Sequence, residues 1–170
     1  MLETSHSFWY RRFRNAAYAA VGVAILWTVV IILPFDPFSN LLPIMIGGGA
    51  GTWLLLGYVI YLAVGIGGFA CLASLLSTVE LSEGRIPDLL VMSVGLVALF
   101  VGVTASCLLL GVAGAVGGYA QTIQHLPEGN LEAVLTPYAN VARVTSAVAV
   151  IGGCATILGM ATARGQKRSE

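Results

Sequence analysis

From Gly57 to Leu76 the chain reads GYVIYLAVGIGGFACLASLL, twenty residues without a charge and with four glycines among them. A helix rises 1.5 Å per residue, so it needs about 20 residues to cross the roughly 30 Å hydrocarbon core of a bilayer. Three other runs of the 170-residue chain reach the same scale, and four membrane spans are predicted, over residues 16–33, 51–76, 89–117 and 138–163. Composition agrees: 58% of the residues are hydrophobic and 9% charged, where a soluble domain carries about a quarter charged. The predicted fold is all-α, an integral membrane four-helix bundle in which residues 1–170 make a single transmembrane domain.

Pro34 and Pro37 close the first span, and Ser82-Glu83-Gly84-Arg85 with Pro87 separates the second from the third. Proline lacks the amide that a helix interior needs, and glycine lets the backbone turn. The first apolar run is too long for a signal-peptide core and no A-x-A site follows it, so it is expected to persist as a helix. Cytoplasmic loops hold the excess of lysine and arginine. Arg11, Arg12, Arg14, Arg85, Arg164, Lys167 and Arg168 fall on one side of a four-span chain, and Arg143 alone on the other. Both termini are therefore expected in the cytoplasm, with the chain in the cell membrane. The net charge of zero, without a basic patch beyond these clusters, gives nucleic acid no footing. In SFWYRRFRN, Phe8, Trp9, Tyr10 and Phe13 stand among arginines, the composition of an anchor belt at headgroup depth.

Lipid tails are as apolar as leucine, so membrane helices associate through close packing, which small residues permit. In the second span Ala63, Gly67, Ala70, Cys71 and Ser74 share one helical face, while Leu62, Ile66, Phe69 and Leu76 make a bulkier surface elsewhere. In the fourth span Ala142, Thr145, Ala149, Gly152, Thr156, Gly159 and Ala163 alternate spacings of three and four, the period of a coiled-coil seam. The third offers Gly95, Ala98, Gly102 and Ala105, then Gly111, Gly114 and Gly118. Candidate packing or partner contacts are therefore Ala63, Gly67, Cys71, Ser74, Gly95, Gly102, Ala149, Gly152, Thr156 and Gly159. The first span, rich in isoleucine, leucine and valine from Ile25 to Leu33, suits lipid or bulky partner side chains.

Catalytic or ligating sets are not evident. The eight acidic residues, Glu3, Asp36, Glu80, Glu83, Asp88, Glu128, Glu132 and Glu170, fall in tails, loops or helix ends, whereas ion pathways use intramembrane charge. His6 and His125 are assigned to opposite faces, and Cys71, Cys107 and Cys154 stand singly without a C-x-x-C. No cofactor or metal is expected. Arg143 is expected to snorkel to the interface, paired with Glu132 or Glu128, or to meet a lipid headgroup or a partner carboxylate. The connection QTIQHLPEGNLEAVLTP is expected to be a polar loop with a short surface helix after Pro127; His125 within it is a second candidate for lipid or partner contact.

The run GGGAGTWLLLGYVIYLAVGIGGFACLASLLSTVE, followed by LLVMSVGLVALFVGVTASCLLLGVAGAVGGY, resembles small archaeal membrane proteins related to subunit I of haem-copper oxidases. The residues that carry this are Gly51-Thr52-Trp53, Gly57-Tyr58, Tyr61, Gly65, Met92, Gly95, Ala113-Gly114 and Gly117-Gly118-Tyr119, over the middle two spans and under half of the chain. The resemblance implies association with a copper- or haem-containing respiratory complex. It does not carry catalysis over, because subunit I works through intramembrane histidines and none of the four spans contains one. The expected function is a non-catalytic accessory subunit of a larger membrane enzyme complex, with other integral membrane subunits and lipid as partners. A small homo-oligomeric transporter or channel is the alternative, its pore lined by hydroxyls such as Thr104, Ser106 and Ser146.

Overall fold

The computed structural model describes residues 8–165. Glu3, His6, Lys167, Arg168 and Glu170 lie outside them. Four long apolar helices run up and down: α1 (Phe8–Ile32), α3 (Gly49–Ser82), α4 (Leu89–Thr122) and α5 (Glu128–Ala161), with a short helix α2 (Leu41–Ile46) in the connection between α1 and α3. All four are long and apolar enough to cross a membrane. A two-residue antiparallel ladder joins β1 (Arg85–Ile86), between α3 and α4, to β2 (Arg164–Gly165), after α5. This ladder places the start of α4 and the end of α5 at one end of the bundle. The start of α1 lies there too, so Arg11, Arg12, Arg14, Arg85 and Arg164 gather at what we term the basic end; α2 marks the far end.

The helices extend past the predicted spans, and the extensions are tertiary in origin. α1 starts at Phe8, so the aromatic and arginine segment forms its first turns, with Trp9 and Phe13 turned inward. Trp9 and Phe13 are 2% and 0% exposed, packed with Phe69, Leu76 and Met92. Phe8 and Tyr10 instead carry arginines, with Arg12 4.2 Å above the Phe8 ring and Arg14 5.3 Å from that of Tyr10. α5 starts at Glu128, so the predicted polar loop shrinks to residues 123–127 and the expected short surface helix is the first turns of α5 itself. Pro137 stands inside this helix on an exposed face.

α3 departs most from a regular helix. It opens with a 3-10 turn (Gly49–Gly51) and contains two π-helical stretches, Tyr61–Gly68 and Thr78–Ser82. Its buried residues Gly57, Tyr61, Gly65, Phe69 and Ala73 are spaced by four. At 3.6 residues per turn such a stripe drifts by about 40° at each step and would wind to the opposite face. The wider i to i+5 turns absorb that drift and keep one buried face along the whole helix.

α4 is the central post. It packs against α5 over most of its length and against the far half of α3, while α1 rests on the basic half of α3. Where helices touch α4 the contact falls on glycine. A methyl group at Gly95 would lie 2.6 Å from Thr156 Oγ1, and Gly102 and Gly152 face the backbone of Ala149 and of Leu99. Gly114 meets the Leu54 backbone of α3, Gly111 the Trp27 indole of α1, and Gly118 the Ile44 side chain of α2. Asp88 starts α4 by accepting the amides of Leu90 and Val91, both at 3.0 Å.

A substitution pair tests this packing. Gly152→Ala sets a methyl against the Leu99 amide and is expected to destabilise the fold by about 1–3 kcal/mol, the usual cost of overpacking. Gly67→Ala meets only Leu62 O at 3.9 Å and is expected to be neutral or to stabilise by up to about 1 kcal/mol through helix propensity. Reversible unfolding of both variants in mixed micelles, followed by circular dichroism, measures the difference.

Candidate functional site

The predicted contact residues divide into two groups. Gly95 and Gly102 of α4 meet Ala149, Gly152, Thr156 and Gly159 of α5, the last against the Met92 thioether. This seam is closed within the chain. Ala63, Gly67, Ala70, Cys71 and Ser74 of α3 are all exposed, and a Cβ at Gly67 would meet no other helix. The bulky surface of α3 is the one that packs inward: Phe69 and Leu76 are buried, and Leu62 and Ile66 pack against the core. The result is an open face of small side chains along the membrane-spanning part of α3.

At the far end two concavities flank α4. One is polar, about 610 Å³, and lined by Trp53, Gln121, Glu132, Thr136, Asn140 and Arg143. Gln121 organises it: its Oε1 accepts the Ala50 amide at 2.9 Å, and its carboxamide lies against Gly49. Gly49 has φ +59°, a conformation that favours glycine, and a Cβ there would displace the Gln121 carboxamide. Arg143 is exposed and makes a long 3.5 Å contact to Asn140 Oδ1; it forms no ion pair with Glu132. The guanidinium thus reaches toward the far end along its own helix, as a snorkelling side chain does. His125 does not enter this cleft. It is exposed in the turn before α5 with φ +51°, a conformation that histidine tolerates better than most residues.

The second concavity, of about 690 Å³, is apolar and lies between α1 and α4, with Trp27 on its wall. Trp27 is held by its neighbours: its ring is 5.8 Å from Tyr58 in an edge-on arrangement and 5.9 Å from Tyr61. Tyr58 Oη shares a 2.8 Å hydrogen bond with Thr28 Oγ1, which also donates to Ala24 O. Tyr61 is fully buried, and its hydroxyl has no hydrogen bond of ordinary geometry.

Glu80, which the sequence pattern left among helix ends, is a buried charge. It is 6% exposed in the last turn of α3, and its two carboxylate oxygens accept the amides of Trp9 and Tyr10, each at 3.0 Å. The first amides of a helix lack intrahelical acceptors and carry its positive partial charge. A carboxylate from one helix therefore caps the start of another. Among the described residues no three histidine, cysteine, aspartate or glutamate side chains gather as metal ligands. Cys107 is buried, and Cys71 and Cys154 are exposed.

Glu80 and Trp27 are functional candidates that spacing alone did not select. A glutamate one turn before a loop carries a usable signal, because the facing helix start needs an acceptor. The Trp27 cavity has none, since it depends on how far α1 and α4 stand apart.

Replacing Glu80 with alanine is expected to leave two buried or half-buried amides without acceptors and to cost about 1–3 kcal/mol. Glu80→Gln, which keeps an acceptor oxygen, is expected to lose less. Unfolding midpoints of the two variants and hydrogen exchange at Trp9 and Tyr10 report the effect. Comparison with protein-family models, with curated proteins and with solved structures returns no match.

Proposed function

We propose that this chain is a non-catalytic accessory subunit of a larger membrane assembly, docked through the small-residue face of α3. The observation that supports it is the division described above. The seam of α4 and α5 is closed inside the chain, whereas Ala63, Gly67, Ala70, Cys71 and Ser74 stand open on one face. Small residues spaced by four, as at Ala63, Gly67 and Cys71, let a partner backbone approach closely, which is the main source of helix association in lipid.

The membrane is the cell membrane in this reading, with the basic end in the cytoplasm. Its support is the set Arg11, Arg12, Arg14, Arg85 and Arg164 at one end against Arg143 toward the other. The resemblance of the middle spans to oxidase-related proteins favours an electron-transfer complex as the parent. The chain contributes helix surface and not redox ligands: its one described histidine, His125, stands in an exposed turn.

The alternative, a homo-oligomeric transporter or channel, draws less support. Ser106 and Ser146 bond each other at 2.6 Å, and Thr145 and Thr156 bond to carbonyls of their own helix. Hydroxyls engaged in this way are helix contacts rather than a pore lining.

Native-gel separation of source membranes in mild detergent, with mass spectrometry of the band, tests the proposal. Co-migration with other membrane subunits at fixed stoichiometry is expected for the wild type. Gly67→Leu should abolish it while keeping the helical circular dichroism and an unfolding midpoint no lower than wild type, because a Cβ there meets no other helix and only Leu62 O, at 3.9 Å, beyond its own nearest turns. A band of this chain alone overturns the subunit reading.

A further inference from the structure

The apolar cavity beside Trp27 has a shape that names its occupant. Its volume, about 690 Å³, falls in the range of ligand sites, roughly 300–1,000 Å³. Its lining runs from Val23 and Leu108, within the spans, to Phe38 and Gln124, beyond the end of α1. From Leu108 to Tyr119 the cavity follows α4 for about 16 Å at 1.5 Å per residue. An extended hydrocarbon chain can lie along that length.

Access and polarity point the same way. Phe38 and Leu41 of the connection from α1 to α3, with Leu126 after α4, close the far end. Leu26 and Val112 on the rim are 67% and 48% exposed on the lipid-facing surface, so entry is sideways from the bilayer. The hydroxyl and carboxamide of the lining, on Tyr119 and Gln124, both belong to the far end, and the deeper walls are hydrocarbon. An apolar space of this size does not hold ordered water, and if empty it would deprive its walls of dispersion contacts.

We propose that this slot binds one hydrocarbon chain of a membrane amphiphile, with the polar head at Tyr119 and Gln124 and the chain running past Trp27 toward Val23 and Leu108. The site is separate from the docking face of α3, which lies on another helix. A phospholipid and a prenyl lipid share this chemistry, one polar end and one long apolar chain.

Trp27 is a built-in probe. In the variant Trp9→Phe with Trp53→Phe it is the remaining tryptophan, and phosphatidylcholine vesicles with brominated acyl chains are expected to quench its fluorescence. Ala115→Phe, which fills the slot from its half-buried α4 wall, is expected to remove most of that quenching with the helical circular dichroism retained. A second measurement needs no tryptophan replacement. Wild-type protein purified in mild detergent and analysed by native mass spectrometry is expected to keep one amphiphile per chain, and the Ala115→Phe protein to keep none. The mass of the retained molecule tells a phospholipid from a prenyl lipid, and either supports the site. Quenching that survives Ala115→Phe, or a wild-type protein that retains no amphiphile, overturns it.

Discussion

In hydrocarbon an apolar side chain gains nothing by leaving lipid for another apolar side chain, so helices cohere through close approach and interhelical hydrogen bonds. In this chain the approach is concentrated on α4. Its glycines face in two directions: Gly95 and Gly102 toward α5, and Gly111, Gly114 and Gly118 toward α1, α3 and α2. A Cβ at any of them would strike the backbone or a side chain of a neighbouring element. α3 and α5 are placed by where they reach this post. That arrangement explains why α5 sits at an edge with a largely exposed surface, including Val144, Val150, Ile151 and Leu158. Its one packing seam is complete.

α1 is placed by a different route. It rests on the basic half of α3, through Phe13 and Ala17 against Phe69 and Ala73, and Glu80 fastens its first turn. Burying a carboxylate is costly unless its oxygens are satisfied. Here each oxygen takes an amide at the positive end of a helix, so the charge is met by partial charge and by hydrogen bonds at once. α3 thus faces α4 with Leu54 and Gly57 and faces α1 with Phe69 and Ala73. A single stripe serves both neighbours only if it does not wind around the helix. The π-helical stretch at Tyr61–Gly68 meets that requirement.

The spans were legible in the sequence because hydrophobic length is what a bilayer demands, and the seam of α4 and α5 because few residue types allow backbones to meet. The helix ends were not. Trp9 and Phe13 read as interfacial rings, since an aromatic beside arginine has the same composition whether it faces headgroups or a neighbouring helix. EGNLEAVLTP, with Gly129 and Pro137, reads on local propensity as a loop with a short surface helix, yet the long α5 helix runs through all of it. For α3 the regular period grouped Ala63, Gly67, Cys71 and Ser74 on one face, which the structure keeps together. What periodicity lacks is a sign. It separates two faces without saying which one turns inward, and here the bulky one does.

The slot beside Trp27 follows from these same placements. α1 ends at Ile32, while α4 continues to Thr122 and runs alongside α2 and the start of α3 at the far end. Because α1 leans on α3, it meets α4 sparsely, and the indole of Trp27 seated on Gly111 is a bridge across the interval. Beyond that bridge small or slender residues of α4, Gly111, Ala115 and Val116, face the end of a shorter helix, and the connection from α1 to α3 passes over the top. Unequal helix lengths and one ring therefore make a space that is closed above and open to the side. Neither requires anything of the α3 face, whose small residues point away from it. The two features can be altered one at a time, so the proposed lipid slot and the proposed docking face are separable within a single small bundle.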